Sequence, residues 1–388
     1  MNSNYVSLYS LADWKNGLAF KKIHFSNHGK PVIKIAELKN GITAQTTYTQ
    51  QIFDDSVHLT KGDMVFSWSG NPETSIDVFW YDLSDGWLNQ HIFKVMEKEG
   101  VHKLYLYYLL KSLKPQFTAI ASNKQTTGLG HVTVKDMKDM LIDLPKYNVQ
   151  KAIGEYLHFI DQKAYINQQI NDNLYEMVNT YYTSLFKNAG YEITTVGSYA
   201  KRIYSGGTPT TSNAAYWDGP FSWFSSGETR NHFVISTEKA ITQAGIDNSS
   251  TKLAKKHDIV MASAGQGFTR GQTSMLLLNT YVNQSVIVIH AERNVLPYLF
   301  WNLTNRYNEL RAISDSSSIR GSLTTKMISA FKIPLADEES LQAFTDFAWS
   351  IIPQIENNLL ENERLAVMRD SLLPKLMSGE IDVSSIQL

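Results

Sequence analysis

A glycine-rich segment in the second half of the chain concentrates side chains that donate and accept hydrogen bonds. It runs from Ser263 to Gln272 and carries Gln266 and Arg270 between its glycines. Arginine and glutamine form bidentate hydrogen bonds with base edges, and glycine lets a backbone approach a partner closely. The segment therefore indicates binding to nucleic acid, although an ordinary solvated surface loop has the same composition.

Five further polar segments carry residue types that suit base edges and phosphates. They are residues 34–40, 67–71 and 124–131 in the first half, and 227–230 and 316–320 in the second half. We predict that nucleic-acid contacts come from Lys34, Lys39, Ser67, Ser69, Asn71, Lys124, Thr126, His131, Arg230, Gln266, Arg270, Gln272, Ser316, Ser318 and Arg320. For any single one of these residues, a solvated surface position remains an alternative.

Patterns that support catalysis are scarce in this sequence. The chain has no cysteine, which excludes a thiolate zinc site and a cysteine nucleophile. It also lacks a phosphate-binding loop, a His-Glu-x-x-His helix and an Asn/Asp-Pro-Pro-aromatic motif. One nuclease-like arrangement exists, in which Asp13 precedes Glu37 and Lys39, but such short patterns arise often by chance. We predict that the chain is not an enzyme and binds neither a metal nor a cofactor.

The chain is an internal duplication. Lys61, Asp63 and Val65 open a segment that ends in Asn89-Gln90, and an equivalent segment starting at Lys256 lies 195 residues further on. Each half continues with an aromatic-rich stretch, a polar loop and an apolar run closed by proline. Strand-like runs beside helical stretches favour an α+β class. We predict two tandem globular domains, at residues 1–146 and 190–335.

Each predicted domain is followed by a heptad pattern, at residues 147–189 and 336–388, which indicates two long helices. Both apolar stripes carry two asparagines at the same layers: Asn167, Asn171, Asn358 and Asn362. A buried polar residue at such a seam costs stability but fixes register. Parallel and antiparallel pairs both match Asn to Asn, and the two-fold symmetry of a duplicated unit favours an antiparallel coiled coil with pseudo-two-fold symmetry. In that arrangement Asn167 faces Asn362.

Three residues interrupt the second helical pattern. Arg369 occupies an otherwise apolar seam position, so we expect fraying or a contact outside the seam there. Pro353 and Pro374 predict a kink or an end of the helix, because proline removes a backbone hydrogen bond.

Charge is distributed unevenly along the chain. Residues 1–146 carry 16 Lys/Arg and 14 Asp/Glu, and residues 190–335 carry 14 and 9. The two helical segments are acidic, most of all residues 336–388, with 3 Lys/Arg and 10 Asp/Glu. The asymmetry favours an anionic partner for the globular domains, although solvated helix faces explain the acidic segments equally well. No secretory signal and no 18-residue apolar run is visible, so we expect a cytoplasmic protein without a membrane span.

The order of these segments resembles the specificity subunit of type I restriction-modification systems. Two features are fairly specific together: Ser205-Gly206-Gly207-Thr208-Pro209 at the start of the second domain, and residues 369–380 at the end. Leu11–Gly17 and Ile160–Lys163 fit the same pattern, and the resemblance covers nearly the whole chain. The first domain lacks the Gly-Thr-Pro entry, which indicates that the two domains belong to different sequence-reading subtypes.

The resemblance implies a non-catalytic subunit in which each domain reads one half of a split double-stranded DNA target. It also implies two copies of a methyltransferase subunit and a restriction subunit as partners. S-adenosylmethionine, ATP and Mg would belong to those partners. A specificity chain of another modification class, a divalent-ion-dependent nuclease and a protein- or carbohydrate-binding module remain alternatives.

The predicted first helix of about 35–38 residues would span roughly 50–60 Å. Because one DNA turn measures about 34–36 Å, we hypothesise that helix length sets the spacer between the two half-sites.

Overall fold

The computed structural model describes residues 4–125, 128–187, 192–265, 267–316 and 321–383. The chain forms two compact units: unit 1 contains residues 1–163 and 365–388, and unit 2 contains residues 164–364. Each unit therefore combines one mixed domain with segments of the two long helices. None of the described helices is long and apolar enough to cross a membrane.

Unit 1 contains twelve described strands. They are β1 Tyr5–Ser7, β2 Ala12–Asn16, β3 Lys30–Ile33, β4 Tyr48–Thr49, β5 His58–Leu59, β6 Met64–Ser67, β7 Ser69–Gly70, β8 Asp77–Trp80, β9 Gly86–Leu88, β10 Ile92–Glu97, β11 Gly130–His131 and β12 Leu141–Asp143. The central sheet has the order β2-β10-β6-β8 and a second sheet the order β4-β3-β9-β5; β1 pairs with β12, and β7 with β11. The short helices are α1 Ile35–Asn40, α2 Pro72–Ser75, α3 Lys103–Ser112, α4 Lys114–Asn123 and α5 Val134–Asp139.

Unit 2 contains eleven described strands. They are β13 Ile193–Thr195, β14 Ala200–Ser205, β15 Trp217–Phe224, β16 Phe233–Val234, β17 Lys239–Ile241, β18 Lys252–Ala254, β19 Ile259–Ala262, β20 Thr273–Leu276, β21 Thr280–Val282, β22 Val286–Ala291 and β23 Lys332–Pro334. The central sheet has the order β14-β22-β19-β20-β16, the second sheet has the order β17-β15-β21-β18, and β13 pairs with β23. The short helices are α7 Val196–Tyr199, α8 Gln243–Asp247, α9 Leu296–Asn305, α10 Tyr307–Ser316 and α11 Thr325–Ser329.

The central sheet of each unit is covered on both faces, so all residues of its inner strands β6 and β19 are buried. In β6, Phe66 packs in the same apolar cluster as α3, whereas its neighbour Val65 packs in the cluster of the second sheet. In β19, Met261 and Val260 divide in the same way between the helix side and the second sheet. Alternation of side chains along a strand produces this arrangement. It places a sheet between a helical layer and a smaller sheet in both domains.

The two long helices are α6 Tyr147–Phe186 and α12 Glu338–Met377, each of 40 residues. In unit 1, Ile153 and Leu157 near the start of α6 share an apolar cluster with Leu376 near the end of α12. In unit 2, Val178 near the end of α6 packs with Phe344 near the start of α12. The helices therefore run antiparallel within each unit, and the predicted fold class is confirmed.

Amide pairs occupy the helix seam in unit 2. Asn167 donates to Asn362 at 2.9 Å, and Asn358 donates to Asn171 at 2.8 Å. Asn362 also donates to the carbonyl of Ala164 at 3.1 Å. These are the facing pairs expected from an antiparallel arrangement, and their hydrogen bonds offset much of the cost of burying the amides.

The structure shows how α12 accommodates the residues that interrupt its apolar pattern. Of the two outcomes predicted at the prolines, a kink or an end of the helix, an end at Pro353 does not occur. Pro353 is solvent-exposed, and α12 continues past it and ends three residues after Pro374. The helix does not fray at Arg369, which donates to Asp161 of α6 at 3.0 Å. Asp161 also accepts from Tyr108 at 2.6 Å. Burial and this hydrogen bond raise the pKa of Tyr108 well above its usual value.

Candidate nucleic-acid interface

Most candidate segments of unit 2 meet at one end of the central sheet. Strands β14 and β19 end there, whereas β16, β20 and β22 begin there, because β16 runs parallel to β20 and the other pairs are antiparallel. The segments adjoining this end are residues 205–209, 230–232, 263–272 and 283–285. The topology thus brings the glycine-rich segment, Arg230 and the Ser-Gly-Gly-Thr-Pro motif to the same edge.

The segment from Ser263 to Gln272 is a closed loop between β19 and β20. Gly271 donates to the carbonyl of Ala262 at 2.9 Å, and Ala262 donates to that of Gln272 at 3.1 Å. Gly265 and Gly271 have φ angles of +127° and +87°, which non-glycine residues rarely adopt. The amide of Leu323 donates to the carbonyl of Ser263 at 2.8 Å, which ties the base of this loop to the second polar segment.

Arg270 departs from its predicted role as an exposed base-contacting residue. It is buried, its guanidinium donates to the carbonyl of Gly321 at 3.3 Å, and it forms an ion pair with Asp315 of α10. A guanidinium held in this way positions two loops against each other and is not presented to solvent. We therefore correct its assignment from base contact to loop positioning. Gln272 is half-buried at the start of β20, and Ser316 is exposed at the end of α10.

Arg230 is exposed but lies in an acidic environment. It forms an ion pair with Glu238 and lines a groove of about 690 Å³ together with Asp172, Glu176 and Glu228. Carboxylates outnumber cations in this groove, so Arg230 there is poorly placed to bind a phosphate.

In unit 1, the equivalent end of the central sheet carries the segment after β6. Ser69 and His131 face each other across the β7–β11 pair, and both are half-buried. The amide of Val132 donates to the carbonyl of Trp68 at 2.9 Å. This contact corresponds to the one between Leu323 and Ser263 in unit 2. In both domains, a residue shortly after the second polar segment is therefore bonded to the strand end that opens the first polar segment.

Two other candidates in unit 1 hold local structure. Ser67 is fully buried within β6, so its prediction as an exposed contact is corrected: a second sheet covers that face of the strand. Asn71 is exposed and its side chain accepts from the amides of Glu73 and Thr74, both at 3.1 Å, which caps α2.

Lys124 is exposed and paired. Its ammonium group donates to Asp136 at 2.6 Å. Although partial burial opposes the effect, hydrogen bonds from Lys124 and Thr133 hold the pKa of Asp136 below its usual value. The positive charge of Lys124 is therefore largely neutralised within unit 1.

The lysines of α1 flank the same edge. A Cβ placed on Gly70 would lie 3.6 Å from Ile35, the first residue of α1, so Lys34 lies close to the β7 segment. Lys34 is half-buried with its ammonium 5.6 Å from the centre of the Phe25 ring, and Lys39 is exposed in the last turn. Lys34 therefore lies near this edge, and Lys39 lies one to two turns further along α1.

The nuclease-like residues do not form a metal site in this structure. Glu37 is buried and accepts from the amide of Lys34 at 3.0 Å, which caps α1. Asp13 lies on β2 and pairs with Lys98 at 3.6 Å. Within the described residues, no group of three or more His, Cys, Asp or Glu side chains is arranged to hold a metal ion.

Four candidates lie outside the described residues: Thr126, Gln266, Ser318 and Arg320.

The sequence prediction missed residues that line the same edges. In unit 1, Trp68 donates to Asn16 at 3.1 Å and packs against His91 with ring centres 5.7 Å apart. Asn16 belongs to the Leu11–Gly17 segment. Its position directly before Gly17 is the sequence feature that could have marked it as a candidate. In unit 2, Tyr307 and Arg311 of α10 contact the glycine-rich loop, and only the packing of α10 reveals this.

The Ser-Gly-Gly-Thr-Pro motif has a structural explanation. A Cβ at Gly206 would lie 1.9 Å from the carbonyl oxygen of Val282, and one at Gly207 would lie 2.1 Å from Ser250. Glycine is therefore required where β14 leaves the central sheet and passes close to β21. The Asn89-Gln90 pair of the first half has a counterpart in Asn283-Gln284 of the second half, and the two lie beside equivalent points. Leu18 bridges to Asn89, and the amide of Gly207 donates to the carbonyl of Val282, which directly precedes Asn283.

The class of this chain is defined by a duplicated three-layer domain. Each copy is joined to a long helix of the antiparallel pair and carries polar loops at one sheet edge. The family model for the type I restriction modification DNA specificity domain matches residues 2–176 and again residues 190–365. The chain therefore belongs to the family of type I restriction-modification specificity subunits, as its sequence resemblance indicates.

Several characterised relatives support this placement. The chain is 24% identical over 254 residues to the specificity subunit of type I restriction enzyme EcoR124I/EcoR124II of Escherichia coli, covering 62% of this chain and 61% of that protein. It is 21% identical over 321 residues to the MjaIX specificity subunit of Methanocaldococcus jannaschii, covering 77% and 73%. The matched region thus spans about three-fifths of the Escherichia coli relative.

A solved structure shares the fold. The type I restriction-modification system S subunit from M. genitalium superimposes with a TM-score of 0.61 at 16% identity, covering 97% of this chain and 96% of that chain.

Proposed function

We propose that this chain is the non-catalytic specificity subunit of a restriction-modification complex and reads a split double-stranded DNA target. One observation carries the proposal: two copies of the same domain each gather polar loops at the equivalent end of a central sheet. Family membership of both copies supports it. Each domain would read one half-site, and the chain would hold two methyltransferase subunits and a restriction subunit that carry out the chemistry.

The proposal is tested by co-expressing the chain with the methyltransferase subunit encoded nearest to it. We expect a complex of two methyltransferase subunits per chain by size-exclusion chromatography with light scattering. Sequencing of methylated bases in the host DNA should reveal one motif with two specified halves and an unspecified spacer. A motif with only one specified half, or no methylation, would contradict the proposed reading of a split target.

Lys34 provides a sharper test of the DNA-binding edge in unit 1. Lys34→Ala should weaken DNA binding by the complex at low salt and reduce the slope of log affinity against log salt by about 1, because one phosphate contact is lost. The methylated motif should stay the same, since a phosphate contact carries no base information. Fluorescence anisotropy with labelled duplex DNA over a salt series measures both quantities.

Lys61→Ala is the matched control for this experiment. Lys61 precedes β6 and so lies at the opposite end of the central sheet from Ser67, with its ammonium paired to Asp82 at 2.5 Å. Its removal should leave the slope unchanged. If the slope of log affinity against log salt is the same for Lys34→Ala and the unaltered complex, Lys34 does not contact a phosphate and the DNA does not bind at this edge.

An exposed apolar stripe on α6 suits docking of a methyltransferase subunit. Tyr165, Ile166, Ile170 and Met177 are exposed large side chains within unit 2. The spacings of four and seven residues place Ile166, Ile170 and Met177 on one helix face, with Tyr165 beside it. Because exposed apolar patches of this kind mark interaction sites, the stripe is a suitable seat for a partner helix.

Replacing both Ile166 and Ile170 with glutamate should remove at least one methyltransferase subunit from the complex, since charge would then be buried at the contact. Light scattering reports the stoichiometry directly. The control is Ile193→Glu, which changes a still more exposed isoleucine on β13 of the same unit. Retention of both methyltransferase subunits by the double variant would rule out this face as the docking site.

A further inference from the structure

Phe268 presents an aromatic ring to solvent from the glycine-rich loop of unit 2. The loop joins β19 to β20, and 86% of the surface of Phe268 is exposed. Burial of an aromatic side chain stabilises a folded protein, and the folded unit obtains very little of this stabilisation from Phe268. The ring is therefore available to a partner.

The backbone on either side of this ring is held in place. Tyr307 donates to the carbonyl of Phe268 at 2.7 Å, and Arg311 donates to the carbonyl of Gly267 at 2.6 Å. The two donors are one turn apart on α10. The amide of Gln272 donates to the carbonyl of Thr269 at 2.7 Å. The exposed ring thus sits on a positioned backbone, which reduces the entropy that binding would cost.

The space around this part of the loop is open. A Cβ placed on Gly265 or on Gly267 would meet no heavy atom of the described protein within 4 Å. On the side to which these Cβ atoms would point, the described residues therefore leave open space beside the loop.

The charges next to the loop favour an anionic ligand. Arg270 and Arg311 both contact Asp315, and the Arg311 to Asp315 distance is 3.5 Å. Two guanidinium groups share one carboxylate, which leaves a net positive charge beside the exposed ring. An exposed ring beside cationic groups is the combination that binds nucleic acid, where bases stack and phosphates are neutralised.

We propose that Phe268 is a wedge that stacks on a base pair of the half-site read by the second domain and partly opens one base step. This proposal rests on the DNA-reading function proposed above and adds a specificity determinant to it. Side-chain wedges cost the unstacking of a step, and pyrimidine–purine steps such as TA and CA/TG open most easily. Phe268 would therefore select a half-site that contains such a step without forming a hydrogen bond to it.

The test uses the full chain in complex with its methyltransferase subunit and a duplex carrying the mapped methylated site. Permanganate oxidises unstacked thymines, and every TA or CA/TG step contains a thymine. We expect one reactive thymine that depends on Phe268. Phe268→Ala should abolish its reactivity and weaken binding by about tenfold, within the roughly 5- to 150-fold range that corresponds to stacking energies of about 1–3 kcal/mol per base. Phe268→Trp should retain both properties.

Leu253→Ala is the control, because Leu253 is an exposed apolar residue on β18 of the same unit, away from the glycine-rich loop in sequence. This substitution should change neither the affinity for the duplex nor the reactivity of the thymine. If the unaltered complex fails to bind the duplex, the proposed function itself fails. If it binds and Phe268→Ala matches it in affinity and reactivity, the wedge is overturned and the DNA-reading function stands. If Phe268→Ala instead releases the methyltransferase subunit, the ring contacts protein and the wedge is also overturned.

Discussion

Deleting residues 160–166 from α6 alone should abolish assembly of an active complex, whereas also deleting residues 363–369 from α12 should restore it with a shorter DNA spacer. Each deletion removes one heptad and keeps all four seam asparagines in the sequence. In the shortened α6, the exposed Phe159 takes the heptad position of Ile166, so the apolar docking stripe is preserved. Of all changes to the chain, we expect the single deletion to have the largest effect on function.

The expected loss follows from the pairing within the two units. Asn167 pairs with Asn362 in unit 2, while Asp161 pairs with Arg369 in unit 1. The same two helices supply the residues of both units. A seven-residue change in only one helix leaves at least one unit without its matched partners, and buried amides without partners cost about 1–3 kcal/mol each. The paired deletion removes Asp161 and Arg369 together and restores matched lengths.

The size of the spacer change follows from helix geometry. Seven residues at ~1.5 Å rise shorten a helix by roughly 10 Å, and DNA rises ~3.4 Å per base pair. If helix length sets the spacer, the methylated motif of the paired deletion should lose about 3 base pairs of unspecified sequence. Sequencing of methylated bases in cells that express each variant measures this change.

Two results would contradict the spacer hypothesis. One is an unchanged spacer in the active paired deletion, which would separate spacing from helix length. The other is full activity of either single deletion, since the seam would then tolerate mismatched helices. Deletion of residues 363–369 alone is the matched control, because it breaks the same pairing from the opposite helix.

The architecture could be predicted from the sequence because it depends on periodicity. Heptads with two asparagines at equivalent layers required a particular pair of helices, and the observed bonds join Asn167 to Asn362 and Asn171 to Asn358. The residues at which the helices end could not be predicted as well from the sequence. Pro353 is tolerated inside α12 because its ring faces solvent, and that orientation depends on how the helix packs.

The candidate site could be predicted only as segments. The polar loops lie at the equivalent sheet edge in both domains, but the orientation of single side chains depends on contacts far apart in sequence. Arg270 is buried because Asp315, 45 residues away, lies on a helix packed over the loop. Ser67 is buried because a second sheet covers β6. The amino-acid composition of a segment does not reveal either neighbour. The sequence therefore cannot distinguish a side chain available to a ligand from one that is buried and holds loops together.

The Ser-Gly-Gly-Thr-Pro motif shows a second limit of prediction from sequence, because a motif that identifies a family does not have to contact its ligand. It marked the family, and its position suggested function, yet the geometry shows that Gly206 and Gly207 are needed for backbone clearance. A motif can therefore identify a family through a packing requirement, while the residues that touch the ligand vary around it.

Phe344→Ala should destabilise unit 2 by about 3–5 kcal/mol, the usual cost of truncating a buried phenylalanine. Phe344 lies near the start of α12 and is fully buried. Its ring centre lies 5.5 Å from that of Tyr182, 5.7 Å from that of Phe186 and 5.8 Å from that of Trp301. The cavity would therefore open where both long helices meet the helical layer of the second domain.

Hydrogen-exchange mass spectrometry across a urea series measures this effect in unit 2 separately from unit 1. The matched control is Leu253→Ala, which truncates an apolar side chain on β18 of unit 2 that is 45% exposed. Surface truncations of this kind usually change stability by no more than about 0.5 kcal/mol. If the two variants lose equal stability, the aromatic cluster around Phe344 does not hold the helices to the domain. If only Phe344→Ala opens unit 2, the long helices are part of the second domain's core, as the apolar cluster shared by Val178, Phe344 and Trp301 indicates.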